Sequence, residues 1–253
     1  MGMRKAASSA VGRLAAGWVR AVARTATLRV VGAEGALGSG TSCAPLAAQL
    51  VRDTEQGHAI VPLWSAHQLA MAVLANERFG LRPALDRFDV VADDSFGGNM
   101  MHALGASMQL KMRSLHAQGD PRRLEDLGAW LRQPGPFFLA VDGGTTYGTV
   151  PTGTIRLAAR LRSRLWPIAV RARPSFRIPG LVAEIPLPGA TVVLAIGAPM
   201  VVERGTPVAA AASELAHRLN TATHAATNAL SDSNRPLALE GAGPAPDLWR
   251  RTG

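Results

Sequence analysis

Residues 137–177 limit the architectures open to this chain more than any other stretch. They run from an apolar segment (137–141, FFLAV) through a turn-rich loop opening on Asp142-Gly143-Gly144 and a basic helical stretch to a second apolar segment at 166–170. Strand, glycine loop, helix and strand in that order form the unit of an α/β fold, which places its chemistry at strand ends. The 253 residues suffice for one large α/β domain with a substantial core. The expectation is a single domain over 27–230 with a central mixed or mostly parallel sheet flanked by helices. An amphipathic basic helix over 1–26 precedes it and a loose Pro- and Gly-rich tail over 231–253 follows.

Along the chain, residues 28–31 read as a short strand, 32–42 as a glycine-rich loop and 44–54 as a helix. The apolar run 58–64 (HAIVPLW) suits a buried strand and turns at Ser65 and His67 into a helical pattern reaching Gly80. A strand at 87–92 leads into a loop holding Asp93, Asp94 and Ser95 with Gly97-Gly98, then a short helix at 99–104 and a strand at 107–111. Asp120-Pro121 reads as the start of a helix to about Arg132. Residues 171–189, rich in Arg and Pro, read as an irregular or edge excursion; 191–197 is a strand, and Thr206 caps a last helix to about Leu230. Over 3–26, Val11, Leu14, Trp18 and Val22 share one helix side and Arg13, Arg20 and Arg24 the other. Such a helix lies in an anionic membrane interface or packs on the domain edge, and the pattern alone leaves both open.

Lys and Arg number 27 against 18 Asp and Glu, a net charge of +9 carried almost wholly by Arg. Planar phosphate or carboxylate partners fit that bias. Nucleic acid does not, since aromatic residues make up 5% of the chain and one tyrosine leaves few stacking platforms. A solitary cysteine, Cys43, excludes an internal disulfide framework or a cysteine metal cluster and makes a reducing compartment the default. No apolar run approaches the roughly 18 residues that cross a bilayer. Placement is therefore expected in the cytoplasm, peripheral at the inner face of the membrane.

The motifs of P-loop NTPases, GxSxG hydrolases, dinucleotide-binding folds and HExxH metalloenzymes are missing. His67 stands where an apolar strand becomes a helix, and a free imidazole titrates near neutrality, so it suits a general base or a histidine hydrogen-bonded within the core. His58, His102, His116, His217 and His224 have weaker claims. Asp142 ends an apolar strand before two glycines, where it can orient a histidine, organise N–H groups around an anion, or close an Asx turn. Arg156, Arg160 and Arg164 recur at a helical spacing of four, with Arg171 and Arg173 beyond, as an anion-docking stripe or a solvated face.

In this order the segments resemble the bacterial DUF374 branch of the lysophospholipid acyltransferase-like superfamily, related to glycerolipid and lipid A acyltransferases. The pieces are the basic helix leading into LRVVG, the histidine in LWSAHQLAMAVL, DDSFGGNMMHALG, VDGGTTYGTVPTGTIRLAARLRSRLWPIAV, and IGAPM at 196–200. The chain departs from the pattern where Trp64 precedes His67 by three, Ala72 replaces the acid five residues after it, Val141 replaces a proline, and Gly97-Gly98 stand for an Asp-Gly pair. The resemblance implies a glycerolipid acyltransferase-like α/β fold. It implies transfer of an acyl group from a CoA or acyl-carrier-protein thioester to a hydroxyl or amine of a lipid-like acceptor, with no metal or other cofactor. His67 would be the general base, Asp142 or Asp93 its orienting acid, and Ser65, Gly143, Gly144, Arg156 and Arg160 would bind substrate. A non-catalytic lipid- or carrier-binding module on the same fold is the alternative.

Overall fold

The computed structural model describes residues 2–33, 44–57, 59–116, 126, 129, 135–142, 147–177, 183–203 and 205–232, with side chains from residue 6 and, in the second of these segments, from residue 48. The expected features at 34–42, Cys43, His58, 120–132 apart from residues 126 and 129, Gly143, Gly144 and 233–253 lie outside the described residues. The architecture is a single mixed α/β domain whose main sheet is parallel and flanked by helices, as expected. In chain order the helices are α1 (Gly2–Thr25), α2 (Ala44–Glu55), α3 (Gln68–Leu74), α4 (Arg82–Leu85), α5 (Phe96–Ser107), α6 (Thr152–Leu161) and α7 (Val208–Ser231). The strands are β1 (Thr27–Gly32), β2 (Ala59–Leu63), β3 (Asp89–Asp93), β4 (Lys111–Leu115), β5 (Phe137–Ala140), β6 (Arg164–Leu165), β7 (Ile168–Arg177) and β8 (Glu184–Ile196). Among the described residues, no helix is long and apolar enough to cross a membrane.

Two sheets divide the strands. β4-β3-β5-β2-β6 form a parallel five-stranded sheet, and β1-β8-β7 a three-stranded one with β1 parallel and β7 antiparallel to β8. Alternation along β2 shows how the larger sheet is covered. Val61 and Leu63 pack in one apolar cluster with Leu69, Ala70, Val73 and Leu74 of α3, whereas Ile60 and Trp64 pack in another with Ile155, Leu157 and Ala158 of α6. Side chains of a strand alternate between faces, so α3, which follows β2, and α6, which follows β5, lie on opposite faces. Adjacent parallel strands whose outgoing helices part in this way open a crevice at their carboxyl ends.

Several elements differ from the sequence reading. The helix expected up to Gly80 breaks into a 3₁₀ turn at Ser65–His67, α3, and a second 3₁₀ turn at Glu77–Phe79 closed by Gly80 in the left-handed region. The glycine pair at 97–98 belongs to the first turn of α5, because the Ser95 hydroxyl accepts the Gly98 N–H at 3.1 Å and caps the helix. α5 then runs to Ser107 and displaces the following strand to Lys111–Leu115. The supposed excursion after Val170 is a long antiparallel ribbon of β7 and β8, whose register shifts between Arg173 and Ser175. Proline at such a shift leaves the ladder intact on either side. The last helix begins after Pro207 with no side-chain cap, so Thr206 does not serve as one.

Candidate functional site

The register of β2 and β5 decides what meets at their carboxyl ends. Leu63 stands opposite Ala140, and the Val141 N–H donates to the Leu63 carbonyl at 3.0 Å. Two positions further on, Ser65 meets Asp142. The Ser65 N–H donates to Asp142 Oδ1 and its hydroxyl to Oδ2, both at 2.8 Å. The carboxylate thereby caps the turn that carries His67, whose own N–H donates to the Trp64 carbonyl at 2.9 Å. Burial pushes the Asp142 carboxyl up from its ordinary value, and the two bonds from Ser65 pull it part of the way back.

His67 is sealed at the end of this turn, 1% exposed. Loss of water lowers its pKa to about 3, with the charges of Arg171 and then Arg177 acting the same way. The ring is uncharged at neutral pH. Its Nδ1 has no hydrogen-bond partner among the described residues, and neither has the buried indole Nε1 of Trp64 three residues earlier. Folded proteins rarely leave such groups unsatisfied, at a cost of about 1–3 kcal/mol each, and two of them flanking Ser65 mark this turn as a place where packing is not the whole purpose. The other buried atoms without a well-aimed bond, Arg171 Nε and Glu184 Oε2, are an ion pair at 2.7 Å.

The expected imidazole–carboxylate couple at His67 is absent from this geometry. Both oxygens of Asp142 serve Ser65, while Asp93 accepts from the Ser95 N–H and hydroxyl at the carboxyl end of β3. Such a couple occurs instead at His116, whose Nδ1 and N–H both lie 2.8 Å from Asp126 Oδ2. It sits at the end of β4, three strands and roughly 14 Å from β2. The only sequence signal for it was a histidine directly after a strand, ten residues before an acid. His102 Nε2 approaches the Ala92 carbonyl at 3.2 Å, which fits a structural role.

The arginine stripe is shorter than its spacing suggested. Arg156 and Arg160 are exposed on α6, opposite the buried Ile155 and Ala158, and neither bonds to Ser65, His67 or Asp142. The helix ends at Leu161 and Arg162 is left-handed, so Arg164 turns away into β6 and contacts both oxygens of the buried Asp53 at 3.0 and 3.2 Å. Arg171 pairs with Glu184 and donates to Thr227 of α7, and Arg173 is exposed.

Apolar space adjoins the turn on the α3 side. One cavity of about 50 Å³ is lined by Leu63, Gln68, Ala72 and Ala140 among others, and a second of about 50 Å³ lies beyond Met71 and Phe138. Each is well below the roughly 150 Å³ that admits a benzene ring, so an acyl chain enters only if α3 or its neighbours shift. His67 lines neither. Among the described residues no group of three or more His, Cys, Asp and Glu could hold a metal ion. No protein-family model matches the chain, and no curated protein matches it in sequence.

Proposed function

We propose that the protein moves an acyl group from a thioester of coenzyme A or an acyl carrier protein to a hydroxyl or amine of a lipid-like acceptor, with His67 as general base. The observation that carries this reading is the buried His67 ring, its Nδ1 unpartnered among the described residues, on the turn that Asp142 holds through Ser65 where β2 and β5 end. An uncharged imidazole is the form that accepts a proton. In the proposed step the acceptor proton passes to the ring and the acceptor oxygen or nitrogen bonds to the thioester carbonyl carbon. The carbon–sulfur bond then breaks, and the thiolate leaves with the proton held by the ring. Asp142 acts as a positioning residue that fixes the turn through Ser65. The N–H groups of Gly143 and Gly144 and the guanidinium groups of Arg156 and Arg160 are assigned to the thioester oxyanion or an acceptor phosphate. A ring 1% exposed meets no substrate, so the proposed catalysis requires the turn to be uncovered. In this reading the protein works in the cytoplasm, peripheral at the inner face of the membrane, with α1 toward the lipid.

Release of free thiol from long-chain acyl-CoA, supplied with a single-chain phospholipid acceptor, tests the reading. His67→Ala should lower the rate at least about 100-fold, the lower end of what a general base contributes. One observation favours a second reading, a module that binds acyl thioesters or carriers without turning them over. Ala72 stands where the superfamily carries its acid, and among the described residues no carboxylate bonds to His67 Nδ1. Thioester binding without thiol release, unaltered by His67→Ala, would decide for it.

A further inference from the structure

α1 buries Ser8, Gly12, Ala16, Val19, Val22 and Ala23 and turns Val11, Leu14 and Trp18 outward. Leu14 is 75% exposed, Val11 43% and Trp18 40%, and Phe176 on β7 is 43% exposed. These four rim a groove of about 660 Å³ that also takes in Ile185 and Pro186 of β8. Its floor includes Leu69 and Val73 of α3, so it ends within one to two helical turns of His67. The Trp18 Nε1–H donates to the Pro186 carbonyl at 2.8 Å, which ties α1 to the ribbon and makes the groove one surface.

Charge on this face has one sign. α1 carries no acid, and its Arg13 lines the groove. Arg173 and Arg177 lie on either side of Phe176 along β7, both exposed and neither paired with a carboxylate among the described residues; Phe176 stands opposite Ile185 and Arg177 opposite Glu184, so Arg177 borders the groove from the other side of the ribbon. The acid of the ribbon, Glu184, is buried and occupied by Arg171 and Ser175. An apolar centre with a cationic rim matches a bilayer, where large side chains enter the acyl boundary and guanidinium groups meet phosphates. An acidic protein would answer the arginines but leave the groove unfilled.

We propose that α1 and the β7–β8 ribbon together form a docking face for anionic phospholipid bilayers, with Phe176 sharing the apolar load with Leu14. The inference rests on the lipid-acceptor reading and names the surface that brings lipid to the His67 turn.

Co-sedimentation of the full chain with vesicles of phosphatidylcholine, with and without about a third phosphatidylglycerol to supply negative surface charge, tests it. The chain should bind the anionic vesicles, less so at high salt. Leu14→Ser and Phe176→Ser should each lower partitioning about tenfold, the double substitution Arg173→Gln with Arg177→Gln should flatten the salt dependence, and Val201→Ser, exposed elsewhere, should bind as the parent does. Thermal melts confirm that these surface variants stay folded. Binding lost in Leu14→Ser but intact in Phe176→Ser would remove the ribbon from the face and overturn the proposal. So would absence of vesicle binding, retention on polyglutamate alone, or a dimer dissolved by Phe176→Ser. The assay contains no thioester, so a chain that docks yet releases no thiol keeps this face while losing the proposed chemistry.

Discussion

His67 and Asp142 are both buried, and burial drives their proton equilibria in opposite directions. For His67 the folded value of about 3 lies below the ordinary 6.5, so the unfolded chain binds more protons between those limits. Stability therefore rises with pH across that window, is fully present above 6.5, and is lost as pH falls toward 3; the span corresponds to at most roughly 5 kcal/mol. For Asp142 the folded value is raised, so the folded chain binds more protons just above 3.8 and stability falls as pH rises through that range. Urea midpoints at pH 7.5 and 4.5 separate the two. The parent should lose roughly half of the histidine contribution at the lower pH, His67→Gln should flatten that loss, and Asp142→Asn should leave it in place. An unchanged slope in His67→Gln would mean the ring is hydrated. Sequence marked both residues by their position at strand ends. It did not show that Ser65, not His67, would take the carboxylate, because that follows from the pairing of Leu63 with Ala140, and register between strands far apart in sequence leaves no local trace.

The helix of residues 2–25 was legible from its periodicity, but its packed face was not. Sorting by side-chain size put Val11, Leu14, Trp18 and Val22 together, and of these only Val22 is buried. Close helix contact selects small residues instead. A Cβ on Gly12 would lie 2.4 Å from the Met100 carbonyl oxygen and 2.6 Å from Ala103 Cβ, so α1 could not keep its seat on α5. Gly12→Ala should cost about 1–3 kcal/mol by overpacking. Gly17→Ala, on the open side with nothing within 4 Å of the new atom, should raise the melting point slightly through helix propensity, by at most about 1 kcal/mol. Equal effects of the two substitutions would place the packed face elsewhere. The β7–β8 ribbon was hidden for a related reason. Arg and Pro obscure the strand pattern at 171–189, yet Pro174 falls at the register shift, where the ladder needs no donor from it.

Across the whole molecule the two sheets are joined by one core. Its largest cluster takes Val19, Val22 and Ala23 from α1, Val61 and Leu63 from β2, Val73 from α3, Ile168 and Val170 from β7, and Val192 and Leu194 from β8. The sequence reading set a basic helix over 1–26 before the α/β domain and left open whether it packs on the domain edge; here Val19, Val22 and Ala23 of that helix share a cluster with the strands of both sheets. Nothing in local periodicity distinguishes a helix lying on a domain from one built into it; the difference lies in which distant strands supply the other side of the contact. A chain lacking residues 2–25 would expose the apolar faces of α3, α5 and β8 that α1 covers, so it should fail to give a cooperative melt, and its loss of lipid binding would carry no information. Point substitutions on the exposed side of α1 are for that reason the informative ones. The same shared core predicts one unfolding event: far-ultraviolet circular dichroism, reporting helices, and near-ultraviolet circular dichroism, reporting buried Trp64 and Trp166, should trace the same urea transition. Separate midpoints would mean that the three-stranded sheet with α1 unfolds apart from the five-stranded sheet. The proposed docking face and the His67 turn would then belong to parts of the molecule that open separately.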